Sequence, residues 1–178
     1  RQYLRRARRA NPDALVVATG CYVQRAKDDL SAMEAVSLVL DNRHKQSLVS
    51  IVAAKLNVDP VPNLEIGSQA PFRSRAMVKI QEGCDQVCAY CIVPKVRGRE
   101  RSIPPESIIT EINGRVSSGC REAVLTGTQL GTYGFDQPGT DLRDLIARIL
   151  AETPVDRLRV SSLQAQEITP ELLNLWQD

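Results

Sequence analysis

Long apolar runs are missing from this sequence of 178 residues. None approaches the roughly 20 residues that a membrane-crossing helix needs, and no short basic-then-apolar leader opens the chain. A membrane helix and a secretory signal peptide are therefore excluded from these residues, and a cytoplasmic setting is expected. A spaced disulfide framework is also lacking: there are five cysteines, and three of them crowd into eight residues. That crowding points to a reducing interior. Histidine occurs once, as His44 at the start of a surface helical pattern, and no chemistry is assigned to it. Aromatic residues make up only 4%, which by itself rules nothing out. Neither sign of charge dominates, with 23 Lys and Arg against 21 Asp and Glu. The chain opens on Arg1 rather than Met, directly in a basic helical pattern, and is expected to be a piece of a longer protein. Its length admits one ordinary domain or two small ones.

The stretch that is richest in chemistry is Glu82-Gly83-Cys84-Asp85-Gln86-Val87-Cys88-Ala89-Tyr90-Cys91. Thiolates spaced C-x3-C-x2-C on a loop able to curl can converge on one metal centre. A tetrahedral zinc site usually takes four protein ligands, and this loop offers three. A structural zinc would have to borrow Cys120 or His44. Three thiolates suit a 4Fe-4S cluster with one iron left open. On these residues the loop resembles the cluster-binding signature of the radical S-adenosylmethionine enzymes. The resemblance implies that the open iron chelates S-adenosylmethionine and that a reduced cluster cleaves it to a deoxyadenosyl radical. The protein's part is then to position and shield that chemistry.

The pattern around the loop predicts an α/β chain. Arg1 to Ala10 reads as a basic helix, Ala14 to Thr19 as a buried strand ending at Gly20-Cys21, and Asp29 to Ala35 as a short helix. Val36 to Leu40 reads as a second strand, and His44 to Leu56 as a helix with Leu48, Ile51, Val52 and Leu56 on one face. Strands alternating with helices mean βαβ units and a parallel sheet, here a fragment of a doubly wound α/β domain over 1–57. Residues 58–75, with three prolines and no periodicity, form the expected linker, with an edge strand near Leu64 to Ile66. Residues 76–178 then carry three βα units. The strands are expected at Ala76 to Gln81, Glu122 to Thr126 and Leu158 to Ser161. Helices are expected to open at Pro104-Pro105-Glu106, near Leu142 and at Pro170. The helix stripes are Ile108, Ile109, Ile112 and Val116, then Leu142, Leu145, Ile146, Ile149 and Leu150, then Leu172, Leu173 and Trp176. Barrel geometry would put function at the C-terminal ends of these strands. The segment between the cysteines and Arg101 is expected to be loop.

Other motifs gain meaning beside the cysteine loop. Thr126-Gly127-Thr128-Gln129 opens a glycine-rich turn, which alone is more often just a turn. One βα unit after a cluster loop, it resembles the contact that the radical enzymes make with the amino end of S-adenosylmethionine. The exposed N–H and hydroxyl groups of such a turn suit the polar ends of a ligand. By the same resemblance Tyr90, Gly127, Thr128, Gln129 and Ser161 are expected to bind the cofactor, and Cys84, Cys88 and Cys91 to bind the metal. Cys21, by itself, reads as a small buried hydrophobe. Its context Thr19-Gly20-Cys21-Tyr22-Val23-Gln24, however, is similar to a motif of the methylthiotransferases among the radical enzymes. The resemblance implies a second 4Fe-4S cluster in the full-length protein, with Cys21 one of its three ligands and the other two upstream of Arg1. Cys120 matches no motif and is read as structural.

The likeness to methylthiotransferases runs almost end to end. It includes Cys91-Ile92-Val93-Pro94 leading to Arg97-Gly98-Arg99-Glu100-Arg101-Ser102, and Arg159-Val160-Ser161-Ser162-Leu163 with Glu167-Ile168-Thr169. Two segments, Thr19 to Tyr22 and Leu125 to Gly127, favour the branch that acts on threonylcarbamoyladenosine in tRNA over the isopentenyladenosine and ribosomal-protein branches. There are departures: Gln164-Ala165 stands where the family commonly has an acidic residue and proline, and Ile103 where an arginine is frequent. Lys95, Arg97, Arg99 and Arg101, opposed by Glu100 alone, read either as a solvated face or as contacts to a polyanion. Beside a radical site that must receive an anticodon loop, tRNA is the expected partner, along with an electron-donor protein. The competing readings are a radical enzyme acting on a protein side chain and a zinc-stabilised nucleic-acid-binding module. The family uses a partial barrel of about six βα units, of which this chain carries the first three. It is therefore expected to be catalytically incomplete.

Overall fold

The computed structural model describes residues 1–45, 47–59, 74–86 and 88–176. They are mixed α/β, with helices connecting parallel strands, and they separate into two compact units. One is Arg1–Leu64 with Lys95–Arg97, and the other is Glu65–Pro94 with Gly98–Asp178. No helix among the described residues is long and apolar enough to cross a membrane.

In the first unit, helix α1 (Gln2–Ala10) precedes strand β1 (Val17–Thr19). Helices α2 (Cys21–Arg25) and α3 (Lys27–Ser31), strand β2 (Leu38–Leu40) and helix α4 (Leu48–Leu56) follow. Strands β1 and β2 pair in parallel, with Val17 opposite Leu38 and Thr19 opposite Leu40. The core is small: Ala18, Val23 and Leu30, with Leu4, Met33, Val36 and Val39 packed against them. No α1 residue is buried. Two arginines at this end of the chain serve the fold instead. Arg8 donates to Pro12 O, Ala14 O and Ser37 Oγ, and Arg1 pairs with Asp29 and lies over the Tyr22 ring.

Several expectations need correction in this unit. Strand β1 covers only Val17–Thr19 of the strand expected over Ala14 to Thr19, and the chain enters a helix at Cys21 directly after Gly20. The helix expected over Asp29 to Ala35 is α3, which starts two residues earlier and ends at Ser31; turn hydrogen bonds from Met33 N–H to Leu30 O and from Val36 N–H to Met33 O then lead the chain into β2. That strand starts at Leu38 rather than Val36. The helix expected from His44 is a 3-10 turn (Asn42–His44), capped by Asp41, followed separately by α4. Leu56 is exposed, so the expected apolar stripe is not fully covered.

The second unit is built on strand β3 (Arg75–Lys79). Strand β4 (Gln81–Glu82), helix α5 (Val93–Arg97, whose last three residues group with the first unit), strand β5 (Arg101–Ser102), helix α6 (Pro105–Ser117) and strand β6 (Glu122–Thr126) come next. Helix α7 (Leu142–Glu152), strand β7 (Arg157–Val160) and helix α8 (Pro170–Leu173) complete the chain of elements. Strands β3, β6 and β7 form a parallel sheet in that order, with Arg75 opposite Glu122 and Glu122 opposite Arg157. Parallel neighbours need crossover connections, which α6 and α7 supply. Their stripes meet the sheet in one core that includes Val78, Ile80, Ile108, Ile112, Leu125 and Ile149.

Proline early in α6 and the Asp141 cap on α7, accepting from Asp144 N–H, set where these helices start. Leu150, Leu173 and Trp176, expected in the stripes, are about half exposed and lie outside the buried faces. The expected strand over Ala76 to Gln81 is divided: Lys79 ends β3, and Gln81 and Glu82 turn away to pair antiparallel with Ser102 and Arg101. The cysteine segment is thus an excursion that leaves the sheet at β4 and returns at β5, with α5 inside what was expected to be loop. The edge strand expected near Leu64 to Ile66 lies outside the described residues.

Candidate functional site

The cysteine segment starts at a fixed point. Gly83 has φ +81°, and a Cβ there would stand 2.0 Å from Arg99 O and 2.8 Å from Gly98 O. Only glycine allows that approach. Cys84 N–H donates to Gly98 O at 3.3 Å, so the outgoing segment is tied to the end of α5 at the base of the loop. Cys84 is 8% exposed, Cys91 is half-buried and Cys88 is exposed. Cys91 N–H donates to Cys88 O, which puts these two in one turn. Asp85 braces the base from outside: it accepts from Arg99 Nη2 at 3.1 Å and from Glu100 N–H at 3.2 Å. The Arg99 hydrogen bond, then that of the Glu100 N–H, holds the Asp85 carboxyl below the usual carboxylate range.

The three thiols follow one another along this loop at different depths. Among the described residues no three Cys, His, Asp or Glu side chains form a metal-ligand group. The donor chemistry nevertheless fits a cluster better than zinc. Cys120 enters β6 from its N-terminal end, whereas the cysteine loop lies past the C-terminal end of the parallel strand β3. Five strand residues at about 3.3 Å each separate them, far beyond a shared ligand sphere. Cys120 packs instead beside the core, as its structural reading requires. His44 Nδ1 is 2.7 Å from Asp41 Oδ1. Three thiols of one loop, with Cys120 out of reach, suit an iron–sulfur cluster with an open position.

The second component is the turn after β6. Gln81, 1% exposed, reaches into it: its Oε1 accepts from Thr128 N–H at 2.9 Å and Gln129 N–H at 3.1 Å. Its Nε2 donates to Gly83 O at 3.0 Å. The N–H groups of Thr128 and Gln129 are thus engaged within the protein, contrary to the expectation that such groups stand free for a ligand. Thr128 Oγ1 is the polar atom of this turn that is buried without a partner among the described residues. Gly127 has no room for a side chain, since a Cβ would meet Leu130 Cδ2 at 2.5 Å.

Gln129, also buried, donates to Glu167 and accepts from Gln164 Nε2 at 3.1 Å. Glu167 also accepts from Gln164 N–H at 2.8 Å. Ser161 turns its hydroxyl back to Leu125 O at 2.9 Å. Ser162, left-handed at φ +54°, donates through its hydroxyl to Gly127 O and accepts at its carbonyl from Leu130 N–H. A non-glycine residue in that conformation is uncommon and marks a constrained turn. Tyr90 is 95% exposed.

Sequence reasoning missed Gln81, Asp85 and Glu100. Ala76, Val78 and Ile80 alternate inward, and Gln81 breaks the alternation by being buried next to Ile80. A polar side chain at that break was the available signal. Glu100 is half-buried, with Oε1 unpartnered among the described residues. Burial pushes its carboxyl up, against the pull of the Thr132 side chain, and Asp85, Asp136 and Glu167 add to the rise. Lys95, Arg97 and Arg101 are exposed, with no ion pair among the described residues, whereas Arg99 is paired with Asp85.

No family model matches the chain. Individual proteins do. The threonylcarbamoyladenosine tRNA methylthiotransferase MtaB of Aquifex aeolicus is 36% identical over 187 residues, an alignment covering 98% of this chain and 45% of that protein. The protein of the same name from Rickettsia prowazekii is 34% identical, over 98% of this chain and 44% of its own length. A tRNA-2-methylthio-N(6)-dimethylallyladenosine synthase of Syntrophobacter fumaroxidans is also 34% identical, over 97% and 41%. The chain therefore spans less than half the length of these relatives. Identity at this level across nearly all of its residues, with the C-x3-C-x2-C loop among them, places it by descent: the chain belongs to the radical S-adenosylmethionine methylthiotransferase family.

Proposed function

We propose that the whole protein adds a methylthio group to C2 of a modified adenosine next to the anticodon of tRNA, with threonylcarbamoyladenosine the favoured acceptor. The observation that carries this reading is the three-cysteine loop, tied by Gly83 and Cys84 at the C-terminal side of a parallel strand. It occurs in a chain whose relatives are named as tRNA methylthiotransferases. Cys84, Cys88 and Cys91 would ligate a 4Fe-4S cluster, and Cys21 would contribute one ligand to a second. When bound, the cluster and S-adenosylmethionine together supply a radical able to activate an otherwise inert C–H bond.

The protein's residues do the rest. Gly127 lets the turn after β6 pack against Leu130 and Gln81, and the unpaired Thr128 hydroxyl of that turn would offer a ligand a hydrogen bond. Tyr90, Gln129 and Ser161 would complete the S-adenosylmethionine pocket. Lys95, Arg97, Arg99 and Arg101 would neutralise tRNA phosphates, a contribution that weakens steeply with salt. An electron-donor protein and a cytoplasmic setting belong to the same reading. In it, residues 1–57 are part of a doubly wound domain, 58–75 a linker, and 76–178 the first half of a partial (βα)6 barrel. Three strands offer few preorganised contacts for S-adenosylmethionine, so this chain alone would bind it weakly and not turn over.

The test is nucleoside analysis of tRNA by mass spectrometry, from cells with and without the whole protein. A methylthio derivative of threonylcarbamoyladenosine that requires Cys84, Cys88 and Cys91 is expected. A methylthio derivative of the dimethylallyl nucleoside would move the protein to the branch of the Syntrophobacter relative. Unchanged tRNA, with a methylthio group on a protein instead, would overturn the reading.

A further inference from the structure

Gln81 occupies a place that nothing in the reaction assigns to it. It sits between the residue preceding Cys84 and the turn Gly127 to Gln129, within a single unit, and it is 1% exposed. Its amide has one orientation that works. Oxygen faces two backbone donors, Thr128 N–H and Gln129 N–H, and nitrogen faces one backbone acceptor, Gly83 O. Exchanging the two ends would set an NH2 group against two N–H groups and an oxygen against a carbonyl.

These three bonds cross 47 and 48 residues of sequence on one side and two on the other. Gly83 cannot yield, because Arg99 O already lies where its Cβ would be. The turn cannot yield easily either, because Gly127 packs against Leu130 and Gln129 is held by Glu167 and Gln164. Gln81 is the hydrogen-bonded strut between two anchored pieces of backbone. We propose that Gln81 is a positioning residue: its amide fixes the Cys84 end of the cysteine loop against the turn that faces the cofactor. This rests on the reading of Cys84 as a cluster ligand.

Two variants separate the amide from its bulk. Gln81→Met has a similar length and makes none of the three bonds. Gln81→Glu keeps the two accepting bonds and makes the third only when protonated. At a position only 1% exposed, burial disfavours the charged form and raises the new acid's pKa above that of an exposed carboxyl. The readout is the rate at which iodoacetamide modifies Cys84 in the metal-free chain, resolved by mass spectrometry and referred to the parent at the same pH.

Cys84 modification is expected to rise at least tenfold in Gln81→Met. In Gln81→Glu it should rise comparably at alkaline pH and return to within about threefold of the parent at mildly acidic pH. Parent-like rates in both variants at every pH, or a Gln81→Glu rate that ignores pH, would overturn the proposal. Should Gln81→Met fail to fold, the pH profile of Gln81→Glu decides alone. Iron and sulfide content of the reconstituted parent is measured beside it. A parent that takes up no iron would undo the cluster reading without touching the Cys84 result.

Discussion

Gly20-Cys21 and Gly83-Cys84 are built alike in sequence and differently in space. In each, a strand ends, a glycine turns with positive φ (+104° and +81°), and a cysteine follows. At Gly20 a Cβ would meet nothing within 4 Å; at Gly83 it would meet the Arg99 carbonyl at 2.0 Å. Gly20 is thus needed only for its backbone conformation, whereas Gly83 is also needed for packing. The cysteines differ in step: Cys21 begins a five-residue helix and is half-buried, while Cys84 is 8% exposed and bonded to the end of α5. The surroundings follow suit. Cys21 belongs to a unit in which, among the described residues, the strands have three residues each and the buried cluster beside them is Ala18, Val23 and Leu30. Cys84 belongs to one with helices of 13 and 11 residues packed on a three-stranded sheet. Among the described residues, the cysteine tied to a neighbouring segment is the one carried by the larger scaffold.

Alanine at the two glycines tests this difference most severely. Gly83→Ala combines left-handed strain with a backbone clash and is expected to cost about 4 kcal/mol or more, the exceptional range for one substitution. Gly20→Ala should cost about 1–2 kcal/mol, the conformational penalty alone. Urea-unfolding midpoints measure both, and equal losses would mean that the Arg99 carbonyl does not constrain Gly83. Next come the cores. Ile112→Ala, fully buried in the larger one, should cost about 3–4 kcal/mol. Leu30→Ala, in a core that can collapse around the gap, should fall near about 2 kcal/mol. A reversed order would show that the first unit is the better packed.

The smallest effects are electrostatic and opposite in sign. The Asp85 carboxyl is held below its ordinary range by Arg99, so it adds stability above the usual carboxylate pKa. That stability is lost as pH falls through the depressed folded value. The Glu100 carboxyl is raised, so the folded state binds its proton more tightly and stability falls as pH rises through the raised value. Glu100→Gln should therefore raise the midpoint at neutral pH and leave it unchanged in strong acid, while Asp85→Asn should lower it at neutral pH. A Glu100→Gln effect that is the same at both pH values would remove burial as its cause.

The parts of this molecule that were legible in the sequence are those with a repeated period. The 3.6-residue stripes of α6 and α7 and the strand β6, with its apolar Ala123-Val124-Leu125, appear where the pattern puts them. Strands β4 and β5 have two residues each, too few to show alternation, and α5 carries Pro94 in a five-residue helix that propensity would not favour. Of the site, the cysteines and the glycine turn were legible as spacing and as resemblance. Their connection was not. It runs through Gln81, whose partners are remote in sequence, and through Glu167, which is held by Gln129 across 38 residues. Long-range hydrogen bonds leave no local periodicity to read.

The contrast between the two glycine–cysteine pairs comes down to iron: the Gly83-Cys84 loop is expected to hold a cluster in this chain, and Gly20-Cys21 is not. Iron and sulfide determination after anaerobic reconstitution decides between them, on the parent, Cys88→Ala and Cys21→Ala. The prediction is roughly four iron and four sulfide per chain for the parent and for Cys21→Ala, and close to none for Cys88→Ala. Full iron in Cys88→Ala, a loss of about half the iron in Cys21→Ala, or zinc in place of iron in the parent would contradict it.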